Sequence, residues 1–226
     1  MSEELSGELN SSELGTYDYW ENIYNDEINN FQEYGDIGEV WFGKKNAENL
    51  IKCIEELNIE KTDKIIDLGC GNGWTLVQLL KRGFKNLYGV DYSPKAIKLA
   101  RAILNDNQID EGNIKLIVGD ILNVEDSGIE NERFTLIHDK GTYDAISLNP
   151  DNHQEQRKKY INNVTRILKD TGFFVISSCN WTKDELQEHF KNDFKVERSL
   201  ETPKMSFGGK VGQSVTNMIL RKKKNK

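Results

Sequence analysis

The sequence predicts an α/β fold: a mostly parallel sheet of seven strands with helices on both faces, closed by a C-terminal antiparallel hairpin. Three observations carry this expectation. Lys64-Ile-Ile-Asp-Leu-Gly-Cys-Gly-Asn-Gly-Trp74 reads as a buried strand, a glycine turn and the start of a helix, the opening of a doubly wound, Rossmann-like sheet. Apolar runs of strand length then alternate with helical periods from residue 86 to residue 190, as parallel strands joined by crossover helices require. Finally, 194–200 and 214–220 both read as strands with no helix between them, so the two must pair antiparallel or lie apart.

The elements follow in order. Residues 1–12 are expected to form a flexible leader, polar and acidic, with too little apolar surface to offset ordering. Tyr17, Trp20, Tyr24 and Ile28 recur at spacings of three and four, which predicts an amphipathic helix over 16–30 with an aromatic stripe. Residues 31–43 mix glycine with aromatics, Trp41 and Phe42 among them, and read as a segment that packs on the core or covers a pocket. A helix over 44–57 precedes the glycine strand, and the helix after it stops at Gly83, a residue suited to a left-handed cap. Strands are expected at 86–91, 113–118, 134–138 and 172–178. Ser93-Pro94 opens a helix to Asn105 as N-cap and first-turn proline. A long helix is expected over 152–169, and Thr182 with Glu185 forms a capping box for a helix to Phe190. One domain, 13–220, accounts for these elements, 13–60 supplying its N-terminal helices and lid-like segment; 221–226 reads as a basic tail.

Composition narrows the class. The chain has 226 residues, 30% charged and 37% hydrophobic, a globular profile. No apolar stretch approaches the roughly 18–20 residues that span a bilayer, and the N-terminus has neither the basic nor the apolar region of a signal peptide. Cys53, Cys70 and Cys179 are odd in number and lack metal-ligand spacing, which suits a reducing compartment. The expected location is cytoplasmic, with nuclear access open, and the expected protein is a monomer without nucleic-acid or membrane partners. The net charge of −7 is unevenly spread: residues 1–43 hold eleven acids and no Lys or Arg. Removing those from the 37 acids leaves 26 against 30 bases, so an acidic arm is available to steer a basic partner.

Spacing within the glycine turn selects the ligand. A dinucleotide fingerprint places its third glycine five residues after the first; here Gly69, Gly71 and Gly73 follow Asp67 as D-x-G-x-G-x-G. That pattern is similar to motif I of class I S-adenosylmethionine-dependent methyltransferases. Ligands of open α/β sheets lie beyond the carboxyl ends of the strands. Asp91 ends the second strand, where a carboxylate accepts ribose hydroxyls. Asp120 follows the third, placed to accept from an adenine amine, and Ile121 is counted with it among the cofactor residues. Asp67 is assigned to loop amides or the methionine ammonium, and Trp41 to closing over the cofactor. Asp139 ends strand four and is expected to place substrate or cofactor, without an evident packing duty. Asn180 and Trp181 at the end of strand five, together with Tyr143, complete the expected catalytic edge, and Tyr17 lies over the substrate. His138, His153 and His189 fall in three elements, so neither a metal site nor a catalytic histidine is assigned.

Longer runs make the resemblance specific. Ser12-Glu-Leu-Gly-Thr16, Glu33-Tyr-Gly-Asp36, Gly38-Glu-Val-Trp-Phe-Gly43, Asp91-Tyr-Ser-Pro-Lys-Ala-Ile97, Asp139-Lys-Gly-Thr-Tyr-Asp-Ala-Ile-Ser-Leu-Asn-Pro-Asp151, Ser178-Cys-Asn-Trp-Thr182 and Thr202-Pro-Lys-Met-Ser-Phe-Gly-Gly209 together resemble the eukaryotic elongation factor 1-alpha lysine methyltransferases of the methyltransferase-like 10 type. The resemblance runs from about residue 12 to residue 220. It implies a protein-lysine N-methyltransferase that uses S-adenosyl-L-methionine and acts on translation elongation factor 1-alpha. Methylation of another protein or of a small molecule is the alternative on the same fold. A nicotinamide-binding protein or a non-enzymatic adaptor fits the glycine spacing and terminal hairpin less well.

Overall fold

A computed structural model describes residues 8–109, 111–200, 206–207, 210–211 and 215–223. Its centre is β1 (Ile65–Leu68), four residues buried on both faces. Ile65 packs into one apolar layer while Ile66 and Leu68 pack into the other, because successive strand side chains point to opposite faces. β2 (Leu87–Asp91) lies parallel on one side of β1, followed outward by β3 (Ile114–Val118); β4 (Phe134–Lys140) and β5 (Leu168–Ser178) extend the other side in parallel. β6 (Phe194–Leu200), the two-residue hairpin β7 (Ser206–Phe207) and β8 (Lys210–Val211), and β9 (Thr216–Lys222) follow. β9 inserts antiparallel between β5 and β6, giving the order β3-β2-β1-β4-β5-β9-β6.

Helices cover both faces. α2 (Lys44–Glu55), α3 (Trp74–Lys81) and α4 (Pro94–Asp106) bury their apolar sides with Ile65, Leu87 and Leu136; α5 (Thr142–Ser147), α6 (His153–Ile167) and α7 (Lys183–Phe190) do so with Ile66, Ile137 and Phe174. α1 (Tyr17–Tyr34) crosses above the sheet edge and packs on α4. The predicted caps form: the Ser93 hydroxyl accepts from Ala96 N–H ahead of Pro94, and Thr182 and Glu185 make the reciprocal box.

Several expectations are corrected. α1 runs on to Tyr34, because the helix stops at the left-handed Gly35 (φ 70°) and not at the asparagine pair before it. α5 is an additional helix, launched from the left-handed Gly141 (φ 90°) and too short to show a hydrophobic period. β5 begins at Leu168, and β9 takes Arg221 and Lys222 into the sheet, so the basic tail starts later. Residues 8–12 are tied down within the expected leader: Glu8 pairs with Arg157, and Ser12 N–H donates to the Leu148 carbonyl. Residues 1–7, 224–226 and most of the Thr202–Gly209 run lie outside the described residues.

Candidate active site

Parallel register sets the site. Asp67 lies beside Gly89 and His138, Leu68 beside Asp139, and Asp91 beside Val118, so the carboxyl ends of β1 to β4 open along one edge. A cavity of about 360 Å³ lies there, roofed by α1 and the 39–42 segment. Its wall includes Asp67, Gly69, Gly71, Asp91, Asp120 and Ile121 from the strand ends, Trp41 and Tyr17 from above, and Asn180 at the far rim. These predicted residues are thus brought together.

The glycine turn is forced by backbone and by the protein's own packing. Gly69, Gly71 and Gly73 all have positive φ (63°, 52° and 73°), a region that L side chains seldom adopt. A Cβ at Gly69 would lie 2.0 Å from Thr142 Oγ1, and one at Gly71 would lie 2.7 Å from the Tyr24 hydroxyl. Gly73 does not line the cavity; it caps α3 in the left-handed conformation, close to Ala100.

The acids have distinct duties. Asp91 accepts from Gly71 N–H (3.0 Å) and Ser93 N–H (2.9 Å), clamping the glycine turn to the start of α4. Burial pushes its carboxyl up to about 6 against the pull of these two amides. Each oxygen retains acceptor capacity toward the cavity, since a carboxylate offers about four lone-pair sites. Asp120 caps the turn Ile121–Asn123, accepting from Leu122 N–H (2.8 Å) and Asn123 Nδ2 (2.9 Å). Asp67 Oδ1 lies 2.6 Å from His138 Nδ1 within the sheet, which fixes the carboxylate orientation.

Three predicted catalytic residues stand behind the wall. Asp139 is fully buried (0% exposed) and accepts from Thr142 N–H (3.0 Å), Tyr143 N–H (3.1 Å) and the Tyr160 hydroxyl. The expectation that it has no packing duty is therefore corrected: it organises the β4–α5 turn. Burial raises its carboxyl to about 7, with the Tyr160 hydrogen bond opposing. Tyr143 turns its hydroxyl to His189 Nδ1 at 3.0 Å, and the Trp181 indole donates to Ser147 Oγ at 3.1 Å while meeting the His189 ring edge-on. Both side chains are core, because α5 and α7 close over them.

Other wall residues escaped the sequence reading. Asp144, in the first turn of α5, faces the cavity and accepts from Ser178 Oγ (2.5 Å) and Cys179 N–H (2.8 Å); burial raises it. Asn72 donates to the carbonyls of Ile37 (2.9 Å) and Glu39 (3.2 Å), pinning the lid to the glycine turn. Also in the wall, Asn149 Nδ2 donates to the Gly15 carbonyl at 2.8 Å. Gly15 packs so closely on Leu148 and Asn149 that a Cβ would sit 2.3 Å from their backbone. Among the described residues, no three His, Cys, Asp or Glu side chains gather as metal ligands, and no helix is long and apolar enough to cross a membrane.

The donor set fits S-adenosylmethionine. Carboxylates at the ends of β1 and β2, an acid after β3 and an aromatic roof suit a ligand that is cationic at one end and a nucleoside at the other. The chain matches a family model described as a methyltransferase domain over residues 59–223. It is 46% identical over 211 residues to EEF1A lysine methyltransferase 2 of Homo sapiens, covering 93% of this chain and 87% of that protein. It is 38% identical to the protein-lysine N-methyltransferase efm4 of Schizosaccharomyces pombe, with 94% of each chain covered. A TehB-like SAM-dependent methyltransferase from Corynebacterium glutamicum shares the fold, with a TM-score of 0.61 at 22% identity over 92% of this chain and all of that one. With the glycine turn, the strand-end acids and relatives matched nearly end to end, the chain belongs to the methyltransferase-domain family, within the group that contains EEF1A lysine methyltransferase 2.

Proposed function

We propose that this S-adenosylmethionine-dependent methyltransferase modifies a lysine side chain of translation elongation factor 1-alpha. The observation that carries the substrate is the near-complete coverage at 46% identity with a relative whose name states that activity. Asp91, Asp120 and Ile121 hold the nucleoside, Asp67 and the Gly69–Gly71 turn hold the methionine end, and Trp41 closes the roof. When bound, the cofactor supplies an electrophilic methyl group on a sulfonium. The residues of the chain align the incoming amine with it, and orientation alone lowers such barriers by several kcal/mol.

A lysine amine attacks only when neutral, and its pKa in water is about 10.4. Tyr17, Trp20 and Trp41 at the cavity wall favour the neutral form by withholding solvent from the charged one. Asn180, on the cavity wall, orients the incoming side chain. Incubating purified elongation factor 1-alpha with the protein and isotopically labelled cofactor, followed by peptide mass spectrometry, tests the assignment. Label on a lysine of that factor is expected. No label on elongation factor 1-alpha, with label on other proteins when a cell lysate is incubated in parallel, would overturn the substrate.

A further inference from the structure

The cavity wall carries six acidic side chains, Glu27, Glu39, Asp67, Asp91, Asp120 and Asp144, and among the described residues a single lysine or arginine, Lys140. Lys140 ends β4, in register with Ser177 of β5, and is partly buried. Its ammonium makes no hydrogen bond or ion pair with a described residue. The Phe42 ring stands 5.8 Å away, on a lid residue held at φ 65°. Burial pulls its pKa down, and the charges that act back on it are Asp67, Asp139 and Glu39, with neither Asp91 nor Asp120 among them. Lys140 therefore serves the Asp67 end of the cavity, away from the nucleoside end.

Charge complementarity makes this lysine informative. The cofactor carries a sulfonium, an α-ammonium and one anionic group, the α-carboxylate, so it is cationic overall. The acids suit that charge, and a lysine left among them without a partner would oppose binding. A buried ammonium is tolerated where an opposite charge meets it. We propose that Lys140 is the residue that binds the α-carboxylate of the cofactor, opposite Asp67, which takes the ammonium, so that the two strand ends grip the amino-acid group of the ligand by both charges.

The inference rests on the cofactor reading of the cavity, and three ligands separate the two. Calorimetry on the full chain would compare S-adenosylmethionine, its decarboxylated form, and methylthioadenosine, which lacks the amino-acid group altogether. The wild-type protein is expected to bind the intact cofactor on the order of tenfold or more tighter than the decarboxylated one, as loss of a charge-assisted contact implies. In Lys140→Met that ratio should fall to about one, as when the charge partner is absent, with methylthioadenosine affinity unchanged. Wild-type protein that fails to discriminate would overturn the proposal without any variant being made. An undiminished ratio in Lys140→Met, or an equal loss for methylthioadenosine, would overturn it too. A lysine that instead repels the incoming amine would show unchanged cofactor affinity in Lys140→Met and a displaced pH profile of methylation. Intact S-adenosylmethionine failing to bind the wild-type protein would remove the cofactor reading itself.

Discussion

Burial holds the carboxyl groups of Asp91 and Asp139 above the ordinary carboxylate range, at about 6 and about 7. An acid raised in the folded state binds more protons there than in the unfolded chain, whose value is about 4. Its contribution to stability is therefore present at low pH and is lost as pH rises from about 4 through the folded value. Asp139→Asn should flatten the dependence of unfolding free energy on pH between about 4 and about 7, measured by urea titration at several pH values. Asp139→Ala is expected to destabilise by about 1–3 kcal/mol for each buried donor left unpaired, and three lose their acceptor: Thr142 N–H, Tyr143 N–H and the Tyr160 hydroxyl. An unchanged urea midpoint would contradict that structural role. Asp91→Ala should weaken cofactor binding by about 1–3 kcal/mol, read by calorimetry, and lower stability as well, because Gly71 and Ser93 lose their acceptor. In the wild-type protein, affinity should decline as pH falls below about 6, where Asp91 becomes protonated.

The lid is an element without regular structure, and its order comes from side chains of its neighbours. Asn72 holds it from the glycine turn and Glu27 from α1, where the carboxylate accepts from Glu39 N–H at 3.0 Å. Asn72→Ala should remove about 1 kcal/mol per bond, with faster hydrogen exchange across 37–43 and weaker cofactor binding; unchanged exchange there would assign the order of the lid elsewhere. The local parts of this architecture were legible in the sequence: the glycine strand, the Ser93-Pro94 start and the Thr182–Glu185 box each depend on chemistry within a few residues. Asp144 was not, because its partners Ser178 and Cys179 lie 34 and 35 residues away. Asp139 was misread because a strand-end position does not reveal that Tyr160, on the next long helix, reaches back to it. α5 was missed because a six-residue helix after a glycine carries no period to detect.

At the scale of the whole molecule, the acidic arm is partly spent within the fold. Glu8 pairs with Arg157 and His153, and Glu21 with Lys95. Glu13, Asp18, Asp26, Glu33 and Asp36 stay exposed along α1 and the segments that flank it. If they guide a basic protein substrate, the association rate with elongation factor 1-alpha should fall as salt rises past the point where screening acts within about 8 Å. Stopped-flow rates that ignore salt would exclude steering. The placement of β9 between β5 and β6 has a consequence for biosynthesis. β6 leaves the ribosome first, yet it can join the sheet only through a strand made later. At about 5–20 residues per second, the nascent chain spends on the order of a few seconds with the apolar Phe174–Ile176 edge of β5 open, and an open strand edge invites pairing with other chains. A chaperone that shields this edge during synthesis would have nothing left to bind once residues 216–222 arrive, whereas a premature stop before them would leave the edge open for the lifetime of the molecule.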